Sequence, residues 1–139
     1  IGPEPKEHKF LLDWFLGQPQ KAKVSGYTNH NWNGVTTLQF ARLCQGIMKK
    51  GIKPPPVQHI IPAEDITKCA MLKEFAGCYH REDITITPVP APVVIDRTLR
   101  TTDAASNTAI WEAAGYAKPP SVPEMIAELA GFDYRLAGL

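Results

Sequence analysis

The stretch Thr28-Asn29-His30-Asn31-Trp32-Asn33-Gly34-Val35-Thr36-Thr37-Leu38 decides how this chain is read. Three amides, an imidazole, an indole and a glycine crowd into six of its residues. Burying that many hydrogen-bonding groups around one flat ring is costly, so the pattern points to a polar ligand surface. The competing reading is a hydrogen-bonded corner that holds the next helix, with the indole as its plug. Thr36-Thr37-Leu38-Gln39 then fits a capping box, in which the Thr36 hydroxyl and the Gln39 amide satisfy orphan backbone donors. It predicts a helix over 37–50 whose apolar face carries Leu38, Phe40, Ala41, Leu43, Cys44, Ile47 and Met48. Lys49 and Lys50 suit the negative end of its dipole, and Gly51 stops it.

Outward from this centre, residues 9–16 read as a short amphipathic helix closed by Gly17, and 21–27 as an extended segment. Pro54-Pro55-Pro56 is a stiff spacer before a predicted strand over 57–61. A helix is expected over 67–79, an alternating strand over 84–87, and a rigid extended run over 88–92. A further helix spans 106–114 and is closed by Gly115. Ser121-Val122-Pro123-Glu124 forms a second capping box, with Met125, Ile126 and Leu129 behind it. Two or three short strands cannot make a self-sufficient parallel sheet, because such sheets need both faces covered and both edges managed. Ile1-Gly2-Pro3 also reads as the end of a buried strand running into a loop.

The 139 residues suit a single region, 1–139, with a genuine core. Net charge is +1 and no basic stripe exists, which argues against nucleic acid as a partner. The longest apolar run, Phe10 to Leu16, is interrupted by Asp13 and is too short for a membrane span. Cys44, Cys69 and Cys78 lack CxxC spacing, so free thiols and a cytoplasmic location are expected. His8, His30, His59 and His80 show no ligand spacing, so no metal site is expected. Arg97 and Arg100 follow the apolar run Val93-Val94-Ile95. Their guanidinium groups suit a pyrophosphate, or else are two surface arginines in a solvated loop.

Gly26 to Gln39 closely resembles a segment in the second half of sugar-nucleotide reductases of the dTDP-4-dehydrorhamnose reductase type. These are extended short-chain dehydrogenase/reductases, within the NAD-dependent epimerase/dehydratase group. The likeness continues in order along the chain. Ile1-Gly2 resembles the tail of the family's Arg-Thr-Ser-Ile-Ile-Gly strand, and Leu11-Leu12-Asp13-Trp14-Phe15-Leu16 the helix after it. His59-Ile60-Ile61 is similar to a late strand that joins the nucleotide-binding sheet. Asp96-Arg97-Thr98-Leu99-Arg100-Thr101 is similar to Asn-Arg-x-Leu-x-Thr near the substrate, and Gly115 to Ser121 to the closing Gly-Tyr-x-x-Pro-Ser turn.

The resemblance implies an α/β fold: the mainly helical substrate-binding part of a Rossmann-type enzyme, with a few short strands, lacking the N-terminal dinucleotide-binding half. It implies NAD(P) for the parent protein, with no cofactor bound by this chain alone. It also implies a nucleotide-sugar substrate, contacted by Asn31, Trp32, Asn33, Arg97 and Arg100. The departures are equally definite. No glycine-rich phosphate turn is present. The family's general acid is a tyrosine followed four residues later by lysine, whereas Tyr27, Tyr79, Tyr116 and Tyr134 are followed there by Asn31, Asp83, Pro120 and Gly138. Catalytic residues are therefore expected in the other half, and this chain is not catalytic by itself. The alternative is a non-catalytic binding or assembly module that keeps the substrate-domain fold. If the chain is only a fragment, an exposed docking surface should drive homo-oligomerisation.

Overall fold

Local capping signals set most helix ends. The computed structural model describes residues 1–4 and 9–133, so His8, Tyr134 and Gly138 lie outside the described residues. Helix α1 is Leu11–Leu16, α2 Thr37–Lys50, α3 Lys68–Cys78, α4 Ala104–Ala113 and α5 Val122–Ala130. The short strands are β1 Lys23–Tyr27, β2 His30–Trp32, β3 Ile66–Thr67, β4 Thr85–Val89 and β5 Ile95–Arg97. The described residues thus form a mixed α/β structure of five helices and a few short strands.

Helix α2 has the expected bounds and ends at Gly51 in the left-handed conformation (φ 64°). At α5 the full capping box forms: the Ser121 N–H donates to Glu124 Oε2 at 2.6 Å, and the Glu124 N–H donates to Ser121 Oγ at 3.3 Å. At α2 only half of it forms. Thr36 Oγ1 accepts the Gln39 N–H at 3.3 Å, but the Gln39 amide turns inward and donates to Tyr116 Oη and Glu128 Oε2, both at 3.1 Å. Gln39 is fully buried, and that rotates the inward face of α2. Leu38, Gln39, Leu43 and Gly46 are buried, whereas Phe40 and Met48, expected on the apolar face, are exposed. Gly46 fixes this orientation, because a Cβ there would sit 2.5 Å from the Ala113 carbonyl oxygen of α4.

The expected strand over 57–61 is absent. Ile61 has no neighbouring strand; instead the Asn107 side chain accepts its N–H at 3.0 Å and donates to its carbonyl at 3.1 Å. Trp111 Nε1 donates to the same carbonyl at 2.9 Å. Backbone groups satisfied this way need no sheet.

Strands β1 and β4 pair in parallel, with Val24 opposite Ile86; the chain between them runs through β2, α2, β3 and α3, and α3 packs on both strands. The second sheet has the order β3-β2-β5, with β2 antiparallel to β3 and parallel to β5. A single core joins the layers: Phe15, Leu72, Phe75, Ile110, Trp111, Val122, Met125 and Ile126 are all essentially inaccessible. Burying each large apolar side chain of this kind contributes about 1.5–3 kcal/mol. No helix among the described residues is long and apolar enough to cross a membrane.

Candidate functional site

The middle of the central motif is a short strand, entered from a turn and followed by irregular chain. His30, Asn31 and Trp32 form β2, and each lies opposite a residue of β5: His30 with Ile95, Asn31 with Asp96, Trp32 with Arg97. Side chains alternate along a strand, so His30 and Trp32 share a face with Ile95 and Arg97. That face borders a cavity of about 610 Å³. Leu12 and Met71 of the core, Phe10, and the first residues of α2 and α3, Thr37 and Lys68, complete much of the lining.

The three asparagines of the motif separate into two roles. Asn29 exchanges hydrogen bonds with the backbone of Ala91: Nδ2 donates to its carbonyl at 2.9 Å, and Oδ1 accepts its N–H at 2.8 Å. Asn33 does the same with Leu99, at 2.9 and 2.7 Å, and is buried. These two amides act as substitute backbone groups that clamp the chain before and after β5. Asn31, between them, is also a lining residue, although alternation turns its side chain to the other face of the strand, and that side chain has no hydrogen-bond partner among the described residues. Of the five residues expected at a ligand, the structure gathers Asn31, Trp32 and Arg97 on the cavity. Asn33 and Arg100 are elsewhere. Arg100 makes a two-pronged pair with Asp65, 3.1 and 2.7 Å, on an exposed surface.

Gly34 explains how Trp32 reaches the cavity. A Cβ at Gly34 would fall 2.4 Å from Cζ2 of the indole, so the ring lies flat on bare backbone. His30 Nε2 lies 3.1 Å from the Val93 carbonyl, and a carbonyl only accepts, so Nε2 carries the proton in this contact. The imidazole also stacks at a tilt on Tyr27, with centroids 4.7 Å apart.

Lys68 is a cavity residue that the sequence did not single out. It opens α3, with Thr67 as N-cap, and its ammonium lies 5.7 Å from the Trp14 ring centroid and 5.3 Å from that of Tyr27. Burial, and then the positive charge of Arg97, hold this ammonium below the usual lysine range. The readable signal was the aromatic pair Trp14 and Tyr27, but nothing local placed a lysine 41 residues further on between them (68 less 27).

Among the described residues no three His, Cys, Asp or Glu side chains gather as a metal ion would require. Cys69 is buried, Cys44 and Cys78 are half-buried, and all three are free thiols. The arrangement combines a flat indole, a free amide and two cations around an apolar floor. It can hold a ligand with an anionic part and a flat or apolar part. No protein-family model, no curated protein and no solved structure matches this chain.

Proposed function

We propose that this chain is the substrate-binding part of an NAD(P)-dependent sugar-nucleotide reductase or epimerase of the extended short-chain dehydrogenase/reductase type. The carrying observation is the meeting of Trp32 and Arg97 across β2 and β5 on one cavity, from segments that separately resemble that family. In this reading the chain binds a nucleotide-sugar such as a dTDP-4-keto-sugar and holds it in place. The Rossmann-type half that precedes it in the parent supplies NAD(P) and the Tyr-x-x-x-Lys pair. Orientation is this chain's contribution to rate, and the cofactor carries the hydride.

The surface supports a docked neighbour. Phe40 and Met48 are 59% and 74% exposed on α2, and Val93 and Val94 are 67% and 69% exposed ahead of β5. Exposed large apolar side chains such as these are candidates for a covering surface. The N-terminal half, or a second copy of the chain, covers them.

The test has two parts. The coding sequence upstream of Ile1 should encode, in frame, a glycine-rich βα turn and a Tyr-x-x-x-Lys. The intact protein should bind dTDP in a calorimetric titration and lose at least tenfold in affinity on Arg97→Ala. An upstream start codon within a few residues would reject the enzyme reading and leave a binding module. Unchanged affinity in Arg97→Ala would remove Arg97 from the site.

A further inference from the structure

Lys68 and Arg97 border the same cavity, and no carboxylate among the described residues neutralises either one. The acidic groups nearby, of which Glu4 also lines the cavity, accept backbone N–H groups and make no ion pair with either cation. Glu4 Oε2 accepts the backbone N–H groups of Lys9 and Phe10, at 2.6 and 3.1 Å. Asp13 Oδ2 accepts the N–H of Glu4 at 2.6 Å. Asp96, next to Arg97, accepts the N–H of Thr98 at 2.9 Å. Among the described residues, two cations therefore face one space with no ion-pair partner, and one of them lies within reach of two aromatic rings. Lys68 is half-buried and Arg97 exposed, so the pair presents its positive charge to an anion entering the cavity from solvent.

We infer that Lys68 and Arg97 together grip the diphosphate of the nucleotide-sugar, one cation to each phosphate, while the wall of Trp32, Phe10 and Met71 receives an uncharged part of the ligand. This rests on the nucleotide-sugar reading above and assigns its anion site. A nucleoside diphosphate ester carries two negative charges, matching the two cations. The division of labour follows from their shapes. The guanidinium fork of Arg97 takes two oxygens of one phosphate, and the ammonium of Lys68 acts as a point charge on the other. The ring contacts with Trp14 and Tyr27 hold the ammonium ready at the cavity, so less side-chain entropy is lost on binding.

Calorimetric titration of the intact protein with inorganic pyrophosphate, dTDP and thymidine tests this, using Lys68→Met, Arg97→Ala and, as a control, Arg100→Ala. Methionine keeps the stem packed against the rings and removes only the charge; an unchanged melting temperature establishes that the variant is folded. The expected result is that Lys68→Met weakens both dTDP and pyrophosphate by about tenfold. Thymidine should be unaffected, and Arg100→Ala should change nothing. If dTDP binds equally well to wild type and to folded Lys68→Met, the Lys68 assignment is overturned while the nucleotide reading stands. If pyrophosphate binding depends on Lys68 but dTDP binds no better than pyrophosphate, the paired-cation site stands and the nucleotide reading falls. If neither ligand binds, both are overturned.

Discussion

The two sides of this molecule treat polar groups in opposite ways. Around α2, α4 and α5 every polar side chain that enters the interior has a partner. Gln39 and Arg42 both donate to Tyr116 Oη, which itself donates to Glu128 at 2.8 Å, and Arg42 pairs with the same carboxylate. Trp111 is fully buried, donates to Ile61, and meets Tyr116 edge-on with centroids 5.3 Å apart. Around β2 and β5 the clamps of Asn29 and Asn33 are satisfied, but the cavity wall is not. Among the described residues the Asn31 side chain has no hydrogen-bond partner, the positive charge of Arg97 acts against the Lys68 ammonium, and the indole of Trp32 stays half-buried. A satisfied network of hydrogen bonds stabilises one arrangement. Groups left unsatisfied on a cavity wall are available to something else. The difference separates the scaffold from the site.

Breaking the scaffold should have the largest effect. Trp111→Ala removes a fully buried ring and its hydrogen bond, and is expected to cost about 3–5 kcal/mol, seen as a lower urea midpoint. A loss below 1 kcal/mol would show that this side is not the stability centre. Asn33→Ala tests the boundary between the two regions. It leaves the N–H and carbonyl of Leu99 without their amide partner, so it should cost about 2 kcal/mol. If Asn33→Ala instead lowered only ligand affinity, Asn33 would belong to the site and not to the clamp.

Acid should weaken the scaffold next. Backbone and hydroxyl hydrogen bonds from Ser121 hold the Glu124 carboxyl below its ordinary value, and those from Ser106 do the same for Asp103. Groups with lowered native pKa values contribute stability that is fully present above their unfolded values of about 4 and is lost as pH falls through the lower native values. The melting temperature should therefore hold from pH 7 to 5 and drop below about pH 4. Glu124→Gln should drop less steeply; an identical acid slope would discount the α5 cap. The smallest stability effects belong to the cavity. Lys68→Met and Arg97→Ala should each change unfolding free energy by no more than about 0.5 kcal/mol, because neither has an ion pair among the described residues to lose. A large loss in either would make that cation part of the scaffold.

By itself the sequence determined what is local. Thr36, Ser121 and Gly51 act within one turn of chain, so the caps of α2 and α5 and the stop at Gly51 were legible. Capping energetics need only residues three or four apart. The structure places Asn31, Trp32 and Arg97 on one cavity, a proximity that was not legible in the sequence. An extended segment and an alternating run marked β1 and β4, but only the tertiary structure decided the strands of the second sheet. His30 to Trp32 is a strand because β5, some 65 residues away (97 less 32), supplies a partner. Residues 57–61 are not, because Asn107 and Trp111 reached Ile61 first. It also decided that Phe40 faces out while Gln39 faces in, through the close approach of Gly46 to Ala113. Lys68 became a site residue only when α3 brought it between Trp14 and Tyr27. Hydrogen-bond partners and charge neighbours distant along the chain are set by packing, which no local pattern of residues encodes.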